Sequence, residues 1–133
     1  MTWEIFKGSE EDWQRNFVKS RNHYRQSFNW GEYKSMMSWR ILRLEKIDNN
    51  GKKTLVQITY KKKFVFCAAY IPGDIAGDIN QLDKSFKKKI MEATNSKFLY
   101  IRLDSNSNNY DEEFSILKKN KWNKPYHKEH VSK

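Results

Sequence analysis

Phe64-Val65-Phe66-Cys67-Ala68-Ala69-Tyr70-Ile71 is a continuous apolar run of strand length, closed by Pro72-Gly73. A run with no polar residue to turn toward water predicts a strand covered on both faces, and so the centre of a sheet. From Gly77 or Asp78 the period changes. Ile79, Leu82, Phe86, Ile90 and Ala93 follow one another at three- and four-residue steps, which draws one apolar stripe along a helix, with Lys84, Lys87, Lys88 and Lys89 mostly off it. Phe98 to Leu103 is the next strand. Strand, helix and strand in succession normally close as a right-handed parallel crossover, which makes the chain an α/β domain.

Reading outward toward the amino terminus, Lys61-Lys62-Lys63 is the expected connection from a strand over residues 53–60. Asp48-Asn49-Asn50-Gly51 is a turn signal, because Asn and Gly accept the positive φ of a hairpin. The strand from Ser38 to Lys46 therefore pairs antiparallel with the one that follows. Before it, Ser27 or Asn29 can cap a short helix on which Trp30, Tyr33, Met36 and Met37 share an apolar side and Lys34 falls away from it. Ser9-Glu10-Glu11-Asp12 opens an earlier helix, with acids at its positive end and Trp13, Phe17 and Val18 as its buried side. Trp3 to Phe6 is a first strand. The order is β-α-α-β-β-β-α-β, followed by a polar loop, a short helix over 111–119 carrying Phe114, Ile116 and Leu117, and a basic tail without pattern.

The chain has 133 residues, which suits one domain with a core built heavily on aromatic side chains, 15% of the total. We expect residues 1–122 to form it and residues 123–133 to be a flexible basic tail. Lysine and arginine exceed aspartate and glutamate by 26 to 16, a net charge of +10. This suits a polyanionic partner such as RNA, a diphosphate or an anionic membrane surface, and equally a solvated basic surface. Cys67 is the single cysteine, so no intrachain disulfide forms, and its apolar run makes it a small buried hydrophobe. No apolar run reaches the length of a bilayer span and no signal-peptide order is present, so a cytoplasmic protein is expected. His127 and His130 offer too few ligands for a metal, and Cys67 with His23 makes no nucleophilic pair. There is no dinucleotide fingerprint and no Walker loop, and no cofactor or metal is expected.

Four elements taken together, Ser27-x-x-Trp30-Gly31-Glu32-Tyr33-Lys34, Ser38-Trp39-Arg40-Ile41-Leu42-Arg43, the run ending Tyr70-Ile71-Pro72-Gly73, and Phe98 to Asp104, resemble the amino-terminal half of the FemAB-type aminoacyltransferases. Those enzymes carry amino acids from aminoacyl-tRNA to the peptide of a peptidoglycan precursor. The resemblance covers about Ser27 to Trp122. It implies a GNAT-like (acyl-CoA N-acyltransferase-like) mixed sheet flanked by helices, a single and incomplete domain where the family has two.

Residue by residue, the resemblance places Lys34 near the diphosphate of a nucleotide-linked muramyl peptide or lipid-linked precursor, where an ammonium serves as a point charge. The reading from residues alone is a surface lysine. Arg102-Leu103-Asp104 is similar to the family's Arg-hydrophobic-Asp-Pro element, with Ser105 in place of the proline. Asp104 then either contacts an amine or peptide of the substrate or caps the loop backbone. Gly73 and Gly77 lie where the family has a Gly-Pro pair. The implied function is the precursor-binding half of such an enzyme, a fragment, truncated product or split partner that is inactive alone, with aminoacyl-tRNA and a second acyltransferase domain or chain as further partners. Two readings stand beside it. A basic RNA-binding module fits the charge, and a free-standing N-acyltransferase using acyl-CoA fits the fold but lacks its pyrophosphate loop.

Overall fold

A computed structural model describes residues 2–18, 26–72, 79–104, 116–120, 122 and 129–132, the side chains of 17, 18, 104 and 129–132 excepted. The elements are β1 (Glu4–Ile5), α1 (Glu10–Val18), α2 (Phe28–Ser35), β2 (Arg40–Ile47), β3 (Lys53–Lys63), β4 (Phe66–Ile71), α3 (Lys84–Thr94), β5 (Phe98–Asp104) and β6 (Glu129–Ser132). Six strands form one sheet in chain order, antiparallel throughout except for the parallel pair β4 and β5 that α3 connects. The mixed α/β sheet and its crossover follow the expectation. The expected buried side chains of Phe17 and Val18, the segment 73–78 with Gly73 and Gly77, and residues 111–115 with Phe114 lie outside the described residues.

The strand covered on both faces is β3 and not β4. Six consecutive residues of β3, Thr54 to Thr59, are buried, whereas β4 alternates between covered and open positions. On one face Val56 and Ile58 join β2, β4 and β5 under Phe86 and Ile90 of α3, with Leu82, Trp3, Leu117 and Trp122 completing the core. On the other, Leu55 packs with Trp13 of α1, against Phe6 and Phe28. Helices α1 and α2 shelter β2 and β3 on that face but do not extend over all of β4, so the apolar composition of β4 reflects one covered side only.

The lysines at 61–63 belong to β3, correcting the expected connection there. Lys61 pairs with Ala68, Lys62 with Cys67 and Lys63 with Phe66. Long aliphatic stems tolerate strand positions while their ammonium groups reach water, so a lysine run does not by itself end a strand. The turn is Phe64-Val65 instead, with Phe64 at φ 56°. An L-residue with a bulky side chain pays about 1–2 kcal/mol there, where hairpins usually place Gly or Asn. The Asp48–Gly51 turn is as expected, with Gly51 at φ 78°.

The predicted stripe on α3 is present, but the helix starts at Lys84, capped by the Asp83 carboxylate on the Phe86 N–H at 3.2 Å. Ile79–Gln81 is a separate 3₁₀ turn. In α1, the Ser9 hydroxyl and Asp12 carboxylate bond each other's backbone N–H groups at 3.2 and 3.1 Å, a reciprocal cap that holds the Asp12 carboxyl below its ordinary value. Within the segment read as a patternless tail, Glu129–Ser132 pairs along β5 as β6. Four strand residues at a sheet edge leave little period to detect.

Between β3 and β4 the ladder stops after Thr59 and Tyr70. Pro72 has no N–H to continue it. The carboxamide of buried Gln26 takes its place: Oε1 accepts from the Gln57 N–H at 2.9 Å, and Nε2 donates to the Gln57 and Pro72 carbonyls at 3.0 and 2.8 Å. The Trp13 indole N–H donates to the Gln26 carbonyl at 2.8 Å, tying α1 to the same point. Gln26→Leu keeps the volume and strands three buried backbone groups, so unfolding in urea should show a loss of about 3 kcal/mol or more.

Candidate functional site

Helix α2 is set on the sheet by its backbone. The Ser27 hydroxyl accepts from the Trp30 N–H at 3.2 Å, and the only buried residue of the helix is Gly31. A Cβ on Gly31 would stand 2.3 Å from Gln57 Oε1 and 2.8 Å from Arg43 Nη2. Arg43 fills that contact: Nε donates to Gln57 Oε1 at 2.9 Å, Nη2 to the Phe28 carbonyl and Glu32 Oε1 at 3.1 Å each, and the guanidinium lies 3.7 Å above the Phe28 ring. Partial burial lowers the Arg43 pKa from its usual value, opposed by Glu32. On the apolar side of this segment, Tyr33, Met36 and Met37 face outward, at 57%, 84% and 50% exposure. Helical spacing groups side chains on a face without saying which face meets a neighbour, and here the close approach through Gly31 decides it.

Past the helix, the Lys34 carbonyl accepts from the N–H groups of Met37 and Trp39 at 2.9 and 3.3 Å, and Ser38 takes φ 64°. This turn carries Trp39 back beside the Lys34 side chain. Lys34 Nζ lies 5.5 Å from the Trp30 ring centre and 5.2 Å from that of Trp39. Lys61 Nζ approaches the same Trp39 ring at 4.5 Å. Trp39 meets Tyr70 edge-on at 5.4 Å, Tyr70 meets Tyr100 at 6.4 Å, and the Arg102 guanidinium lies 5.9 Å from the Tyr70 ring. The register explains the alignment, because Thr59, Tyr70 and Arg102 are paired across β3, β4 and β5 and so share a face.

Lys34 and Arg102 are thereby the ends of one aromatic array. Asp104 closes β5, its backbone paired with Glu129, and its side chain lies outside the described residues. Trp39, Tyr70 and Tyr100 are not among the site residues read from sequence, and Lys61 enters there only within the 61–63 lysine run. Tyr70 and Arg102 could have been matched by aligning the β4 and β5 runs from Phe66 and Phe98, since equal offsets in a parallel pair share a face.

Two ammonium groups at one ring repel each other, and among the described residues no carboxylate pairs with Lys34 or Lys61. Both ammonium groups are therefore open to an anion. No cluster of three or more metal-ligating side chains exists among the described residues. Cys67 is buried as expected, and that burial raises its thiol pKa.

No protein-family model and no curated protein sequence matches the chain. Among solved structures, its fold is that of a GNAT-like mixed α/β domain. The crystal structure of FemX superposes on 90% of the chain with a TM-score of 0.66 at 16% sequence identity, and the chain spans 32% of the FemX chain. No helix among the described residues is long and apolar enough to cross a membrane.

Gly31→Ala should cost about 1–3 kcal/mol in chemical denaturation, through the forced displacement of Gln57 and Arg43. In the native protein, Cys67 should react with a thiol reagent far more slowly than after denaturation, because buried thiols stay protonated and out of reach.

Proposed function

We propose that this chain is the precursor-binding domain of a FemAB-type aminoacyltransferase, with the diphosphate of a nucleotide-linked muramyl peptide or a lipid-linked precursor held at Lys34. The observation that carries this reading is the convergence of Lys34 and Lys61 on the Trp39 ring without a carboxylate partner among the described residues. A diphosphate supplies the missing negative charge to both ammonium groups. The FemX-like fold supports the same class.

Arg102, at the far end of the array, is in place for a carboxylate or carbonyl of the precursor peptide, which would run along Tyr70. Asp104 at the end of β5 would meet the amine that accepts the aminoacyl group. Transfer from aminoacyl-tRNA belongs, in this reading, to the assembled enzyme with a second acyltransferase domain, in a reducing cytoplasm. The isolated chain binds precursor and does not turn it over.

Titration of the purified chain with a UDP-linked muramyl peptide, beside UDP alone and the muramyl peptide without its nucleotide, tests the proposal. Saturable binding that needs the diphosphate and falls roughly tenfold or more in Lys34→Ala is the expected result, from loss of a charge-assisted contact. Absence of binding, or binding indifferent to Lys34, would overturn it. Protection of the chain against heating by acyl-CoA, or salt-sensitive binding to RNA in place of the precursor, would favour the acyl-CoA or RNA-binding readings respectively.

A further inference from the structure

The amino-terminal ends of β4 and β5, the carboxy-terminal end of β3 and the turn leading into β2 all lie at one end of the sheet. Lys63 pairs with Phe66 and Phe66 with Phe98, while Arg40 opens β2 opposite Tyr60. The N–H groups of Lys97 and Phe98 both donate to the Val65 carbonyl, at 2.8 and 3.0 Å, which fastens the α3–β5 connection to the β3–β4 turn. Among the described residues, this end gathers most of the large apolar side chains left in water. Phe64 and Met36 are 81% and 84% exposed, and Met37, Phe66 and Phe98 are each at least half exposed. Phe66 and Phe98 stack on each other at 5.0 Å and 20°, forming one apolar ledge.

Among the described residues, the charge at this end has a single sign. Residues 34–40, 61–66 and 95–98 contain Lys34, Arg40, Lys61, Lys62, Lys63 and Lys97 and no carboxylate. The carboxylates nearest to them in chain order, Glu32 and Glu92, are engaged by Arg43 and Lys89 at 3.1 and 3.2 Å. Monomeric proteins seldom expose so many neighbouring large apolar side chains without a use for them. Phe64 adds a second sign, because its backbone is held at φ 56°, a conformation in which Asn or Gly would sit more cheaply. A phenylalanine stands at the apex of the turn at the expense of backbone strain.

We infer that this end of the sheet docks on an anionic lipid bilayer, with Phe64 and Met36 entering the headgroup boundary and the ring of lysines meeting the lipid phosphates. Aromatic and thioether side chains at an apex, surrounded by ammonium groups on long stems, match the layering of that boundary. A stacking platform for single-stranded RNA would also use basic and aromatic residues, but neither Met36 nor an apical Phe64 offers a ring face in a groove that follows a phosphate backbone. Charge complementarity and apolar depth together favour the bilayer. The inference does not depend on which anion Lys34 holds, although Lys34 and Lys61 belong to both surfaces.

Co-sedimentation of the full chain with vesicles of phosphatidylcholine, alone or mixed with phosphatidylglycerol, tests it. The chain should partition onto the mixed vesicles only, and added salt should weaken the partition. Phe64→Asn should lower the partition coefficient roughly tenfold, and adding Met36→Gln should lower it further. Because Asn suits the turn, Phe64→Asn should melt at or above the parent temperature, which separates a docking role from a folding one. Failure to bind the mixed vesicles, or binding unchanged in the double variant, would overturn the inference. So would binding of a homopolymeric RNA oligonucleotide without any vesicle binding, which would assign this end to nucleic acid.

Discussion

A side-chain amide holds the sheet together where the backbone cannot. Strand β4 meets Pro72 immediately after Ile71, and with no proline N–H the ladder to β3 has lost its next donor. Gln26 restores the pairing from outside the sheet, its carboxamide serving both polar groups of Gln57 and the Pro72 carbonyl. A buried polar group costs little when all its bonds are made and much when they are not, so this one residue fixes where the chain entering α2 must lie. Ser27 and Phe28 follow directly, and the Ser27 carbonyl accepts from Gln57 Nε2 at 2.8 Å. Gln57 thus presents its backbone to Gln26 and its side chain to Ser27 and Arg43, and α2 is seated on β3 from both directions.

The same seating decides what is left open. Because α2 approaches the sheet through Gly31, it lies close over β2 and β3, with Phe28 packed toward Trp13 and Leu55 while Tyr33, Met36 and Met37 are turned outward. The β4 and β5 half of that face keeps Tyr70, Tyr100 and Arg102 partly in water, next to Trp39. An array of aromatic rings bordered by cations is therefore a by-product of asymmetric helix cover, with one half of the sheet face spent on the core and the other available.

The sequence was most legible where local chemistry acts alone. The Asp48–Gly51 turn, the Ser27 cap, the α3 stripe and the parallel crossover need only nearby residues, and each stands where it was expected. Legibility failed where a neighbour decides. Whether an apolar strand is buried on one side or two depends on which helices cover it: β4 does lie with β3 at the centre of the six-stranded sheet, but the polar-interrupted β3, with Gln57 and Thr59 buried by partners, is the strand covered on both faces. On α2 the aromatic and methionine spacing groups side chains on one side without saying whether that side is covered, and the closest approach to the sheet is made by the one glycine in the helix. At the site, Lys34 and Arg102 were reachable through family resemblance, whereas Trp39 and Lys61 join them only through the turn at Ser38 and the extension of β3. No period in the sequence records those two events.

Lys34 and Lys61 belong both to the aromatic array and to the basic, apolar end of the sheet, and that double membership constrains how the two can work together. From the Phe64 apex the array runs away along the open face, through Lys61 and Trp39 to Tyr70 and then Arg102. A lipid-linked precursor presents its groups in the matching order, with the diphosphate at headgroup depth and the peptide farther out in water. A bilayer against the apex would set Lys34 and Lys61 at the level of that diphosphate and leave Arg102 on the aqueous side, facing the peptide. A soluble nucleotide-linked precursor would lie the same way round in the proposed site, with its diphosphate at Lys34 and its peptide toward Arg102, but would gain nothing from a bilayer at the apex. Under the proposed function, the alignment of charge with distance from the apex would favour a lipid-linked molecule over a soluble one, because docking on the bilayer and holding the precursor would then require the same orientation.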